Sequence, residues 1–391
     1  MLYKRFGDIS LSRLGFGAMR LPLLADGAID EAQVKQMVDH AIAHGINYFD
    51  TAYSYHDGLS EIVLGKALAP HPRGSFNLAT KFPGHQYGAI PDPGKIFSEQ
   101  LKKCGTDYFD FYLMHNVCEN SLDTYMDHGV VEYFAGLRDK GLIRHLGFSS
   151  HAGVPSLGKF LDKYGSTLEF CQIQLNYLDW TLQEAEKKYA LIESHGIPVW
   201  VMEPVRGGKL ASLGEDAEKR LKAARPDENA VAWAFRWLMG LPNVGMILSG
   251  MSNLDQMREN IATFSEDKAL SAAERGLLAE LAEGMKNTVP CTACRYCCAG
   301  CPQQLDIPML IRNYNDLKFQ AAMVVSMQLE TLPADKQPSA CVGCGACAAI
   351  CPQQIRVPDV MKDFAALLET MPKWVEICRQ REEAAKRLAG K

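Results

Sequence analysis

Eight of the 13 cysteines fall in two runs of identical spacing. Cys291, Cys294, Cys297 and Cys301 are spaced C-x2-C-x2-C-x3-C, with Pro302 next. Cys341, Cys344, Cys347 and Cys351 repeat that spacing 50 residues on, with Pro352 next. The likeness extends past the thiols, CPQQLDIP against CPQQIRVP. Four thiolates at this spacing wrap one cubane of iron and sulfide. Structural zinc is the competing use of C-x2-C pairs. Zinc needs two such pairs per ion, and it accounts for neither the third cysteine of each run nor the Cys-Pro step. The other five cysteines (Cys104, Cys118, Cys171, Cys298 and Cys378) are odd in number and lack disulfide-like spacing. That usage fits a reducing compartment, and the expected location is the cytoplasm.

A second set of residues could move a proton. Asp50 and Lys81 end short apolar runs, Tyr55 follows Asp50 by five residues, and His115 ends a third run. A lysine beside a tyrosine favours phenolate and lowers the phenol's pKa from about 10. Asp50 would keep that lysine charged and in place, and His115 could orient a carbonyl oxygen. Together they suit proton donation to an oxyanion.

These residues need a scaffold that gathers strand ends. Apolar runs recur at 14–19, 46–50, 76–80, 109–115, 145–149, 170–175, 198–203 and 244–250. Helical periodicity fills the intervals at 30–44, 59–69, 95–104, 126–140, 154–163, 181–195, 228–239 and 253–263. Asp30 and Ser60-Glu61 read as helix starts, and Gly45, Gly141 and Gly196 as stops. Eight strand–helix units predict an α/β fold, a TIM (β/α)8 barrel over residues 1–285, with chemistry at the C-terminal strand ends. A doubly wound sheet is the rival, but no G-x-G-x-x-G opens the first strand–helix turn. KRFGDISLS reads as a hairpin that could plug the lower mouth. Other polar strand ends are Ser149-Ser150, Gln172 and Ser249-Gly250. Gly207 and Gly208 follow the seventh run, and with Ser249 and Gly250 they lie where barrels commonly bind phosphate.

Two resemblances sharpen this reading. The cysteine runs resemble the two-cluster 4Fe–4S ferredoxins, in which the fourth cysteine of each run ligates the other cluster. The resemblance implies one cluster on Cys291, Cys294, Cys297 and Cys351, and another on Cys341, Cys344, Cys347 and Cys301. It implies a small α+β ferredoxin-like domain with a C-terminal helix over 286–391. One departure is the 39 residues between Cys301 and Cys341, where DIPMLIRNYNDLKFQAAMVVSMQ reads as a helix packing elsewhere. Upstream, FDTAYSY, LATKF, DFYLMH, IRHLGFSS and GMSNLDQMREN resemble the aldo-keto reductase family, in order, over roughly residues 1–285. That resemblance implies hydride transfer between a nicotinamide and a carbonyl, without a metal. Tyr55 is then the general acid, Lys81 and Asp50 tune it, and His115 positions the substrate. Ser149, Ser150 and Gln172 match residues that bind the nicotinamide carboxamide. Gln256, Glu259 and Asn260 are candidates for the adenosine end. Many members place a tyrosine against the nicotinamide where this chain has Met202, which reads equally as a core methionine. Many NADP-dependent members carry a cation where this chain has Ser249. Arg258 is the nearby cation, so the choice between NAD and NADP stays open.

Composition narrows the partners. At 391 residues, two domains are expected. A net charge of −5 and the lack of a Lys/Arg run argue against nucleic acid. The lack of an apolar run near 18 residues, or of a signal core at the N-terminus, argues against a membrane. Hydride carries two electrons, whereas a cluster passes one, so direct exchange needs a flavin or a radical intermediate. No flavin signature is readable, although a barrel-top phosphate site could hold one. Three readings stay open: a carbonyl–alcohol oxidoreductase whose clusters serve a redox partner, the same enzyme with structural clusters, and a one-electron carrier whose barrel is a docking scaffold. Polar loops, among them PGHQYGAIPDPG and NVCENSLDTYMDHG, hint at a hydroxylated substrate such as a sugar. The tail ETMPKWVEICRQREEAAKRLAGK reads as a helix whose apolar side (Trp374, Ile377, Cys378) covers the barrel or forms a homodimer contact.

Overall fold

The structure, a computed structural model, describes residues 1–84, 91–119, 121–286, 288–317, 329, 332–371 and 379. A hairpin comes first: β1 (Tyr3–Phe6) pairs antiparallel with β2 (Ile9–Ser12). Eight parallel strands then close a barrel: β3 (Leu14–Gly17), β4 (Tyr48–Asp50), β5 (Asn77–Phe82), β6 (Phe109–Val117), β7 (Ile143–Ser150), β8 (Cys171–Gln174), β9 (Val199–Met202) and β10 (Val244–Ser249). β10 pairs with β3 and so seals the ring. All eight lie within or beside the apolar runs. Parallel strands are covered on both faces, which is why they read as continuous apolar stretches.

Helices α1 (Glu31–Ala43), α2 (Ser60–Leu68), α3 (Pro93–Cys104), α4 (Leu122–Asp127), α5 (Val130–Asp139), α6 (Val154–Tyr164), α7 (Asp179–Leu182), α8 (Ala185–Ser194), α9 (Glu215–Ala224), α10 (Ala230–Met239), α11 (Leu254–Thr263) and α12 (Ala272–Gly284) follow in sequence. Asp30 caps α1 by accepting from the Gln33 N–H. Gly45, Gly141 and Gly196 leave their helices at positive φ, where a Cβ would be strained. The expected cap at Ser60 is not formed: its hydroxyl bonds the Ala18 carbonyl and the Thr51 hydroxyl instead. The helix expected over 126–140 is two, because Gly129 takes φ 64 between α4 and α5. Likewise 181–195 divides into α7 and α8, with Glu184 at φ 53. α9 and α12 lie outside the eight expected units.

The hairpin plugs the N-terminal mouth, as its sequence suggests. Phe6 meets Phe111 at 5.8 Å, Phe170 at 6.2 Å and Trp200 at 5.0 Å between ring centres. These rings and Leu11, Tyr48 and Met246 form a closed apolar floor. The barrel therefore offers its chemistry at the other end.

The chain divides into compact units Met1–Glu283 and Gly284–Lys391. The described elements of the second unit are helices and turns, among them α13 (Ile307–Asp316) and helices at Ala346–Ile350 and Val357–Glu369. Asp306 caps α13 by accepting from Met309 N–H at 3.2 Å, and Pro308 and Pro358 start the two longer helices. The linker segment does not pack elsewhere over its described part: Leu310 and Ile311 join Leu305, Ile355, Val357, Met361 and Phe364 around Cys297 and Cys347. Residues 318–328 of that segment and Trp374, Ile377 and Cys378 of the tail lie outside the described residues, as does 85–90 of the third loop. Among the described residues, no helix is long and apolar enough to cross a membrane.

Candidate active site

Adjacent parallel strands bring Asp50, Lys81 and His115 to one mouth. Asp50 ends β4, Lys81 lies near the end of β5 and His115 in the last third of β6. Tyr55 joins them from the loop after β4, where His56 and Asp57 both take positive φ and turn the chain sharply. Lys81 is fully buried. Its Nζ donates to Asp50 Oδ1 at 2.5 Å and to the Thr51 carbonyl at 2.7 Å, and reaches Tyr55 Oη at 3.5 Å. The His115 ring stands edge-on to Tyr55 at 5.8 Å. The Tyr125 hydroxyl ties the ends of β5 and β6 by donating to the His115 carbonyl at 2.6 Å and the Phe82 carbonyl at 3.2 Å.

Burial pulls the Lys81 ammonium below its ordinary range and lifts the Asp50 carboxyl. Their contact opposes both shifts, and the Asp50 charge is the main force keeping Lys81 protonated. A cation thus stands beside a phenol in a site that is closed on the lysine side. That arrangement lowers the cost of leaving a phenolate behind when the proton departs.

The remaining expected residues separate into two groups. Gln172 is buried and its Oε1 has no hydrogen-bond partner. Ser149 Oγ accepts from the Asn116 N–H at 2.8 Å, whereas Ser150 Oγ donates to the Val117 carbonyl at 2.9 Å and so is engaged with backbone. Ser249 Oγ accepts from Asn260 Nδ2 at 3.1 Å, joining β10 to α11. Met202 ends β9, partly buried. Gly207 and Gly208 form a tight turn at φ 63 and 94. Gly250 packs under Arg20: a Cβ there would meet the Arg20 side chain at 3.4 Å. On α11, Gln256 Oε1 accepts from the Ser252 N–H, and Glu259 accepts from Asn229 Nδ2. Arg258 pairs with Asp255 at 3.0 Å, so the nearby cation already has an anion.

Several site residues were not legible in the sequence. Asp179 and Arg206 form a buried ion pair at 2.9 Å, with Gln174 and Asn176 also donating to Asp179. Arg20 spans from the first loop to Glu203 after β9 at 2.9 Å. Buried atoms without a hydrogen-bond partner gather on residues near the strand C-termini: Asp50 Oδ2, Asn116 Oδ1, Gln172 Oε1, Glu203 Oε2 and Arg206 Nη2. Native proteins leave few such atoms unsatisfied without cause. This set, with acceptors predominating, fits a polar ligand that carries donors, and a nicotinamide carboxamide is of that kind. The Val-Arg-Gly-Gly turn is the one sequence signal that could have flagged Arg206.

In the second unit the cysteines sort into two cavities. One is lined by Cys301, Cys341, Cys344 and Cys347. The other is lined by Cys291, Cys294, Cys297 and Cys351. Each takes three cysteines from one run and the last from the other. Apolar side chains surround both, and Ile307 and Val357 line each. Among the described residues, no three His, Cys, Asp or Glu side chains group as a single ion requires.

The Aldo/keto reductase family profile matches residues 13–283, and the 4Fe-4S dicluster domain profile matches residues 290–355. The L-galactose dehydrogenase of Arabidopsis thaliana is 26% identical over 69% of this chain and 89% of its own length. The NADH-specific methylglyoxal reductase of Escherichia coli is 27% identical over 71% of this chain and 97% of its own. A holo aldo-keto reductase structure from Bacillus halodurans superposes with a TM-score of 0.58 at 29% identity, covering 72% of this chain and 96% of that one.

Proposed function

The chain belongs to the aldo/keto reductase family, and from that premise we propose that it interconverts a small carbonyl compound and its alcohol with NAD(P)(H). The observation that carries the proposal is the set of contacts at Lys81 Nζ: Asp50, the Thr51 carbonyl and the Tyr55 hydroxyl. The nicotinamide, when bound, supplies or accepts the hydride. Tyr55 Oη gives its proton to the carbonyl oxygen as negative charge builds there. Lys81 steadies the resulting phenolate, Asp50 holds Lys81, and His115 orients the oxygen. Gln172 Oε1 would accept from the carboxamide of a bound nicotinamide, with Ser149 and Ser150 as its other expected contacts. Met202, Gly207, Gly208, Ser249, Gly250, Gln256, Glu259 and Asn260 would hold the rest of the dinucleotide. An L-galactose dehydrogenase and a methylglyoxal reductase among the relatives favour a small sugar or oxoaldehyde as substrate.

In the same reading the second unit would hold two 4Fe–4S clusters, one on Cys291, Cys294, Cys297 and Cys351 and the other on Cys341, Cys344, Cys347 and Cys301. The two four-cysteine cavities support it. Each cluster passes single electrons when bound. Cys344 is exposed, which brings the rim of one cavity to the surface, where a redox partner protein can reach it. We place the protein in the cytoplasm, where its many thiols stay reduced.

The test is anaerobic purification with iron, sulfide, flavin and nicotinamide quantified together, followed by NADH- and NADPH-dependent reduction of methylglyoxal. Dinucleotide oxidation that tracks carbonyl loss is the expected result. Failure of both dinucleotides to bind overturns the hydride reading. Turnover by cluster-free protein at the full rate makes the clusters structural.

A further inference from the structure

A second fully buried carboxylate, Glu61, reaches the strand that carries Lys81. It sits in the first turn of α2, yet it does not serve the helix end. Its Oε1 accepts from Thr80 Oγ1 at 2.6 Å and from Gln100 Nε2 at 2.8 Å. Gln100 in turn donates to the Lys81 carbonyl at 3.0 Å and accepts from the Tyr112 hydroxyl at 2.6 Å. Thr80 and Lys81 are neighbours on β5, so Glu61 grips the lysine's strand twice. The other oxygen, Oε2, has no hydrogen bond. Lys103 Nζ approaches it at 3.4 Å from α3 while standing 4.0 Å over the Tyr53 ring.

An isolated buried carboxylate is costly, and removing one from a structural network is normally easy to tolerate if an isostere keeps the hydrogen bonds. The ion-pair partner of its carboxylate is the partly exposed Lys103. We propose that Glu61 is a positioning residue for the proton donor: its charge helps hold Lys81 protonated, and its hydrogen bonds fix the lysine's backbone. The inference rests on the reading of Tyr55 as that donor. The ionisable groups that face this cluster are Asp50 and Tyr55 at the mouth, Tyr53 after β4, Lys103 and Cys104 on α3, and Tyr112 on β6. Glu61 itself opposes the loss of the Lys81 proton that burial favours.

The sign of the effect follows from charge. Glu61→Gln preserves an acceptor for Thr80 and Gln100 and deletes one negative charge. Both the Lys81 ammonium and the Tyr55 phenol then lose their protons at lower pH. Carbonyl reduction needs both protonated, so the alkaline limb of its pH profile moves down. Lys103→Met deletes the opposing positive charge and moves the limb up. The assay is kcat/KM for methylglyoxal with NADH across the alkaline range, in wild type, Glu61→Gln and Lys103→Met. We expect a several-fold loss for Glu61→Gln on the alkaline side, little change on the plateau, and a shift of opposite sign for Lys103→Met. An ultraviolet difference titration of tyrosinate, each variant against the same variant carrying Tyr55→Phe, reads the phenol without turnover. If wild type fails to reduce carbonyls while this titration shifts as stated, the reductase reading falls and only the electrostatic hold of Glu61 on Lys81 and Tyr55 stands. Profiles that keep their limbs, with activity lost at every pH alike, overturn the proposal and leave Glu61 a packing residue. Should Glu61→Gln not fold, an unmoved limb and titration in Lys103→Met overturn it alone.

Discussion

The crossed cysteine sets make a prediction about pairs of substitutions. Cys351 lines the cavity of Cys291, Cys294 and Cys297, although it belongs to the other run. Cys301 does the reverse. Two cubanes carry about 8 irons, and loss of one ligand set removes about 4. Cys351→Ser should therefore halve the iron and sulfide. Adding Cys294→Ser should cost nothing more if, as proposed, both ligands serve one cluster. Adding Cys344→Ser instead should remove the second cluster as well. Metal ligation is also folding free energy, and Cys297 and Cys347 lie in the unit's apolar core. The double variant Cys344→Ser/Cys351→Ser should accordingly lose the cooperative melting of the second unit. Anaerobic reconstitution, iron and sulfide assays and low-temperature EPR of the four proteins decide the matter. The reverse pattern, with Cys344→Ser neutral beside Cys351→Ser and Cys294→Ser additive, would show uncrossed sites and refute the reasoning. Cys298 lines neither cavity, so Cys298→Ala should retain both clusters.

Three further outcomes follow from the barrel. Gln172→Ala should weaken NADH binding about tenfold, the worth of one buried hydrogen bond; unchanged affinity by calorimetric titration would remove Gln172 from the carboxamide site. Asp179→Ala leaves the Arg206 guanidinium buried without its anion, and should destabilise the barrel by about 3–5 kcal/mol. Asp179→Ala/Arg206→Met should recover part of that loss, and a single-variant cost below about 1 kcal/mol in urea melts would contradict the pairing. His56 Nε2 accepts from the Leu21 N–H at 3.2 Å, and burial pulls its pKa below the ordinary value. The unfolded chain then binds the extra proton first, so this stabilisation is complete above about pH 6.5 and fades as pH falls through the folded value. His56→Gln should flatten that stretch of the curve of melting temperature against pH; an unchanged slope assigns it to other groups.

The barrel was legible because its signals are local. A strand buried on both faces must be apolar throughout, and Gly45, Gly141 and Gly196 mark helix ends within a few residues of the chain. The pseudo-repeat of the cysteine runs was equally plain. α9 escaped because only Leu221 of its ten residues is buried, which leaves almost no apolar stripe to read. The break at Gly129 was hidden by an apolar period that continues across it. Buried charge was the least legible feature. Glu61 finds Thr80 at 19 and Gln100 at 39 residues' distance, and Arg206 finds Asp179 at 27. No pattern near Glu61 distinguishes it from a charge facing water, and for Arg206 only the Gly-Gly turn that follows it does. The four candidate catalytic residues were readable only as a set, because each alone is an ordinary strand-end or loop residue.

The central claim is that Tyr55 donates the proton, and the Tyr55→Phe variant tests it most directly. The substitution removes one hydroxyl, and neither Asp50–Lys81 nor any cysteine depends on it. NADH affinity, iron content and melting temperature should stay near those of wild type. Carbonyl reduction should fall by about 100-fold or more, the usual weight of a general acid. A Tyr55→Phe enzyme that keeps wild-type turnover on every carbonyl that the protein accepts would contradict the account.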